Sequence, residues 1–76
     1  MTALADMTDC ELIYQGAFYI MEIRNRQAPL DEMLRAFNQG DMRAMTIRAY
    51  NRRAGLWTAA EFANEEMAAC VATGRR

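Results

Sequence analysis

The side chains that could carry out catalysis in this chain are few. Histidine, serine and lysine are absent from the sequence, and all nine basic residues are arginines. Hydrolytic and transfer reactions usually need a nucleophile beside a base, or two acid–base groups in one cleft. Cys10 and Cys70 have no imidazole to activate them, and the carboxylates fall on polar helix faces. We therefore predict that the protein is not an enzyme.

The acidic residues do not indicate a metal centre. Zinc prefers clusters of cysteine and histidine, and di-iron helical bundles use Glu-x-x-His pairs. Glu61, Glu65 and Glu66 are close in sequence, but alone they would hold only a weak hard cation. We interpret them as a solvated helix face that pairs with arginines. No two glycines lie within ten positions of each other, which excludes a glycine-rich phosphate loop. We expect no metal, no cofactor and no small-molecule substrate.

Arginines are concentrated in one part of the chain, where guanidinium groups and aromatic rings could contact phosphates and stack on bases. The arginines are Arg43, Arg48, Arg52 and Arg53, and the nearby aromatic residues are Tyr50 and Trp57. Two helix-turn-helix registers fail, because each puts polar residues at positions that should be buried. The net charge of −1 also disfavours a duplex-binding protein. A nucleic-acid-binding regulator that uses these four arginines is therefore an alternative, and we prefer their pairing with acids of the chain.

The two cysteines make neither a metal-binding spacing nor a redox motif. The uninterrupted apolar runs, such as residues 17–21, are too short to cross a bilayer. Residues 1–7 have no basic segment of the kind that opens a signal peptide. We expect a cytoplasmic protein without a membrane partner, in which Cys10 and Cys70 stay buried, reduced thiols.

The chain is organised around residues 12–23, which read LIYQGAFYIMEI. At about 100° per residue, apolar side chains occupy most of the circumference of a helix here and leave a narrow polar strip. Such a helix is buried on several sides. A hairpin that turns at residues 14–16, with residues 17–23 as its second strand, is the rival interpretation. The capping box of Thr8 and Glu11 favours the helix.

Capping and termination signals predict an all-α, small four-helix bundle with helices at about residues 9–27, 30–39, 42–54 and 59–73. Thr58 and Glu61 form a second capping box. Pro29 separates the first two helices, because it disfavours a helical conformation in the preceding residue. The remaining signals are Asp41 as a cap and Gly40, Gly55 and Gly74 as helix ends. We expect one domain over residues 1–76, with residues 1–7 and 74–76 as frayed ends.

Four further features concern the faces and ends of the helices. Glu22 and Arg26 have the spacing of an ion pair across one helical turn, and Gly16 leaves a notch where another helix could approach closely. If the first and fourth helices are antiparallel, their cysteines lie at the same end. The alanine-rich inner face predicted for the fourth helix consists of Ala60, Ala63, Met67, Cys70 and Val71.

The first helix has more apolar surface than three short helices can cover, which favours a protein partner. Tyrosine, tryptophan and arginine are typical anchors of interfaces. The predicted partner-binding residues are Tyr19, Ile23, Arg48, Tyr50, Arg52 and Trp57. A domain of this size has a small core, so a homodimer is also expected.

We therefore predict a small non-catalytic protein that binds a host or regulatory protein and modulates or inhibits it sterically. Phage and mobile-element accessory proteins, such as anti-CRISPR or anti-regulator inhibitors, have this build. The analogy rests on size and composition alone. The alternatives are the nucleic-acid-binding regulator and a self-assembling structural subunit.

Overall fold

The computed structural model describes residues 9–52 and 57–74, and within them it confirms the all-α, four-helix fold. The helices are α1 (Asp9–Asn25), α2 (Leu30–Ala36), α3 (Gly40–Asn51) and α4 (Ala59–Ala72). The hairpin alternative is wrong, because residues 14–16 lie inside the continuous helix α1. None of the helices in the described ranges is both long and apolar enough to cross a membrane.

Helix α1 ends at Asn25, slightly before the predicted position, because its last turn closes in a Schellman pattern. Gln27 takes a left-handed backbone conformation with φ of 68°. Its amide donates to the carbonyl oxygen of Arg24 at 2.8 Å, and the amide of Ala28 donates to that of Ile23 at 3.5 Å. The chain therefore turns sharply before α2.

The bounds of α2 and α3 also differ from the predicted ones. Helix α2 ends at Ala36, because Phe37 leaves the helical region with φ of −117° and ψ of 74°. The predicted cap at Asp41 is wrong: the residue before α3 is Gln39, and Asp41 lies in the first turn. Helix α3 ends at Asn51, because Arg52 is extended. The predicted roles of residues 1–8, Gly55 and the last two arginines lie outside the described residues.

The start of α4 follows the prediction. The side-chain oxygen of Thr58 accepts from the amide of Glu61 at 3.1 Å, and the carboxylate of Glu61 accepts from the amide of Thr58 at 2.9 Å. These two bonds form the predicted capping box. The backbone amide of Thr58, and after it the side chain of Thr58, lower the pKa of the Glu61 carboxyl group, because the ionised form is the better hydrogen-bond acceptor. At the other end, Gly74 has a left-handed φ of 84°.

Helix α1 is the centre of the molecule, as predicted, and it packs against both α3 and α4. Its buried residues are Cys10, Ile13, Ala17, Ile20 and Met21. Helix α2 contributes only Met33 to the buried core. The predicted notch at Gly16 is occupied by α3, since a Cβ atom there would lie 2.8 Å from Sδ of Met42 and 3.2 Å from Cε of Met45. Gly16 therefore permits the close approach of these two helices.

Cys10 and Cys70 form a disulfide, with their Cα atoms 5.6 Å apart. The predicted antiparallel arrangement brings the start of α1 and the end of α4 together, as expected, but the expectation of two thiols is wrong. Sequence spacing alone could not show that the bond forms, because the two cysteines are 60 positions apart and their distance depends on how α1 and α4 pack. The disulfide ties the first helix to the last.

The buried face of α4 is rotated relative to the predicted one. Phe62, Ala63, Glu66 and Cys70 are buried, whereas Val71 is 58% exposed. The interpretation of Glu66 as a solvated residue is therefore wrong. The aromatic ring of Phe62 is fully buried, and Glu66 lies one helical turn later on the same face.

Candidate partner-binding site

An accessible aromatic residue lies on α1. Tyr19 is 54% exposed, and its ring contacts that of Phe37 edge to face, with centroids 6.0 Å apart. Ile23 follows Tyr19 by one turn and is half-buried. We call Tyr19, Ile23 and Phe37 the Tyr19 surface. The chain's own helices leave this part of α1 partly uncovered, which is the arrangement expected of an interface anchor.

Arg48 and Glu66 form a bidentate ion pair between α3 and α4. Nε of Arg48 donates to Oε2 of Glu66 at 2.8 Å, and Nη2 donates to Oε1 at 2.6 Å. This hydrogen bonding raises the pKa of Arg48, against the opposing effect of burial. The buried carboxylate is thereby compensated by a fork of donors. The pair is a structural contact between helices.

Arg52 is held by contacts on several sides. Its guanidinium group lies 4.6 Å from the ring centroid of Trp57 and 5.9 Å from that of Phe62, and it forms an ion pair with Glu65. Its carbonyl oxygen accepts from Nη2 of Arg24 at 2.7 Å. Arg52 therefore joins the ends of α1, α3 and α4.

Tyr50 also makes internal contacts. Its hydroxyl group donates to the carbonyl oxygen of Ala28, and the guanidinium group of Arg24 lies 5.3 Å from its ring centroid. Burial raises the pKa of Tyr50; the charge of Glu32 adds to this effect and that of Arg24 opposes it. The hydroxyl group is thus held in its protonated, donating form.

The predicted site residues fall into two groups. Tyr19 and Ile23 belong to the Tyr19 surface, whereas the other members make contacts inside the molecule; these are Arg48, Tyr50, Arg52 and Trp57. The same ion pairs occupy two arginines of the nucleic-acid alternative. Arg43 is exposed, and Arg53 lies outside the described residues.

A groove of about 570 Å³ lies between the C-terminal end of α1 and the N-terminal end of α4. Its lining residues are Glu22, Arg24, Asn25, Arg26, Gln27, Trp57, Thr58 and Ala59. We call it the Arg26 groove. Nδ2 of Asn25 donates to the carbonyl oxygen of Trp57 at 3.2 Å and joins the two walls. This groove could not be predicted from the sequence, because its two walls are far apart in the chain. The only indication of it in the sequence was a pair of arginines at the end of the first helix.

The predicted ion pair of Glu22 and Arg26 is not formed. Within the described ranges, the ion pairs join Arg35 to Asp31, Arg48 to Glu66 and Arg52 to Glu65. Arg26 lies in the turn after α1 and is exposed. Arg26 lines the groove, and its side chain has no ion-pair partner among the described residues.

No protein-family model, curated protein or solved structure matches this chain. Function must be inferred from its own residues.

Proposed function

We propose that this is a non-catalytic helical protein that binds a host or regulatory protein and modulates or inhibits it sterically. The exposure of Tyr19 supports this proposal most directly, because an aromatic ring 54% exposed on the central helix can anchor a partner. Its contact with Phe37 restrains the ring before binding, which lowers the entropy lost in an interface. The proposal includes an accessory role of the anti-CRISPR or anti-regulator kind.

Substitution of Tyr19 by glutamate tests the proposal. A carboxylate in the centre of an interface is strongly disfavoured, because it loses water without gaining a partner. We expect affinity purification from a host lysate with the wild-type chain to enrich a specific protein that the Tyr19→Glu chain does not retain. Val71→Glu is the matched control, since it also replaces an exposed apolar side chain on a helix. Equal retention by both variants would contradict the role of the Tyr19 surface.

A second copy of the chain is the alternative occupant of the Tyr19 surface, and self-assembly is then the function. Tyr19 would lie in an isologous contact of a homodimer. Light scattering on the purified protein distinguishes the two proposals. A dimer that dissociates in the Tyr19→Glu variant favours self-assembly, and a monomer at all concentrations favours a different protein as partner.

The proposed location is the cytoplasm; the disulfide between Cys10 and Cys70 argues against it, and the redox state of the two cysteines in cells therefore provides a test. Cytoplasmic proteins keep their thiols reduced, with few exceptions. Rapid alkylation of the protein in intact producing cells, followed by mass spectrometry, measures the state of Cys10 and Cys70. Two alkylated thiols support the cytoplasm, whereas an unmodified disulfide indicates an oxidising compartment.

A further inference from the structure

We propose that the Arg26 groove binds a carboxylate group of an acidic segment on the protein partner. This inference rests on the proposed function and adds the chemistry of the partner. Arg26 is exposed, and its side chain has no ion-pair partner among the described residues. A guanidinium group can bind a carboxylate through two parallel hydrogen bonds.

Arg24 adds a second positive charge to the groove, and its side chain is already oriented. Its Nη2 donates to the carbonyl oxygen of Arg52 at 2.7 Å, and its guanidinium group lies 5.3 Å from the ring centroid of Tyr50. Glu22 is the only acidic residue among the lining residues. With two arginines and one glutamate among its lining residues, the groove has a net positive charge, which complements an acidic segment.

Arg26 of the groove is close in the chain to Ile23 of the Tyr19 surface. Arg26 follows Ile23 by one turn, and its amide donates to the carbonyl oxygen of Ile23 at 3.0 Å. Protein interfaces commonly have an apolar centre and a polar rim. A partner anchored on Tyr19 would thus meet Arg26 at the edge of the same contact.

The charges around the groove favour an acidic protein over a nucleic acid. Phosphate backbones are bound by several cations in succession, but Arg52, the next arginine toward α4, is already paired with Glu65. The amide of Thr58, at the start of α4, is satisfied by Glu61. Among the residues that the structure describes, the positive charge that lines the groove is limited to Arg24 and Arg26, which suits one or two carboxylates.

Trp57 makes the test direct, because it is the only tryptophan of the chain and it lines the groove. Acetylated, amidated hexaglutamate is titrated into the disulfide-bonded protein at low salt while tryptophan fluorescence is recorded. We expect a saturable change that is lost on adding salt, because an exposed ionic contact is screened. Absence of a saturable change at low salt overturns the inference.

Arg26→Glu is the test variant and Arg43→Glu is its matched control. Both reverse one exposed arginine, so the net charge changes equally. We expect Arg26→Glu to weaken hexaglutamate binding by at least about tenfold, since attraction becomes repulsion, and Arg43→Glu to leave it within about twofold. Equal weakening by both variants shows a general charge effect and overturns the inference. Arg26→Gln, with an unchanged melting temperature, separates loss of binding from loss of folding.

An oligothymidylate of equal charge is the competing probe. Tighter binding of this probe than of hexaglutamate, with the same dependence on Arg26, would assign the groove to nucleic acid and overturn the proposal. The proposed function fails separately. If the titration is negative while Tyr19→Glu still abolishes capture of a specific protein, only the acidic-segment inference is wrong.

Discussion

The ion pair of Arg48 and Glu66 divides its two charges unequally between solvent and core. The side chain of Arg48 is 47% exposed, whereas that of Glu66 is 7% exposed. Arg48 can therefore return to water when its partner is removed, but Glu66 cannot. A buried charge without a partner is far more costly than a solvated one.

This asymmetry predicts different effects for the two substitutions. Arg48→Ala should lower the free energy of unfolding by about 2–3 kcal/mol, because it leaves the carboxylate of Glu66 buried without its donors. Glu66→Gln should cost about 1 kcal/mol, because the amide oxygen still accepts from Arg48. Urea denaturation of both variants measures the difference. Equal costs would show that the carboxylate finds another donor or reaches water.

The raised pKa of Tyr50 predicts that the free energy of unfolding decreases at alkaline pH. Its folded-state pKa is raised above the ordinary value of 10.0, so its contribution to stability is complete below that value and is lost as pH rises through the folded-state pKa. Spectrophotometric titration should show a tyrosine that ionises above the ordinary value of 10.0 and is absent in Tyr50→Phe. The variant should also lose less stability than the wild type at alkaline pH. A normal titration of Tyr50 would contradict the burial of its hydroxyl group.

The contact between α1 and α3 depends on Gly16, because this residue has no side chain to hold the two helices apart. Glycine inside a helix costs roughly 1 kcal/mol relative to alanine. The site keeps glycine because Met42 and Met45 pack directly over it. The free energy gained by packing α1 against α3 therefore opposes the free-energy cost of having glycine inside a helix.

Two substitutions at Gly16 separate these effects. Gly16→Ala should change the free energy of unfolding by less than about 1 kcal/mol, because the half-buried thioether of Met42 can shift while the helix gains propensity. Gly16→Val should destabilise by roughly 2–3 kcal/mol, since its larger side chain forces the buried Met45 to move. Chemical denaturation measures both. A stabilising Gly16→Val variant would mean that α3 does not pack at this position.

At the scale of the whole molecule, the disulfide supplements a small core. Small domains commonly add disulfides, metals or oligomerisation to a limited apolar interior. The small size of the chain led us to expect a homodimer. The bond between Cys10 and Cys70 offers another source of stability, so small size is no longer an argument for a dimer.

Removal of the disulfide should reduce stability substantially. For a separation of 60 positions, the loss of chain constraint corresponds to about 4 kcal/mol. We expect dithiothreitol to lower the melting temperature of the wild type and to have no effect on the Cys10→Ala, Cys70→Ala double variant, which should melt near the reduced wild type. An unchanged melting temperature after verified reduction would contradict a stabilising role for the bond.

The features that depend on near neighbours in the chain could be predicted from the amino-acid sequence. The four helices, the capping box of Thr58 and Glu61 and the small residue at Gly16 were all predictable, because caps, propensity and periodicity act over a few residues. Helix bounds were less accurate, because the left-handed Gln27 and the extended Arg52 end helices without a glycine. The relative positions of the helices were not available from this information.

The contacts between side chains of different helices depend on the tertiary structure and could not be predicted from the sequence. The orientation of α4 buries Glu66 against Arg48. The packing of α1 against α4 brings Cys10 to Cys70 and Trp57 to the end of α1. Arg26 does not form the ion pair that helical spacing predicted for it. Each of these outcomes depends on the rotation and separation of packed helices, which the hydrophobic pattern restricts to a face but does not specify residue by residue.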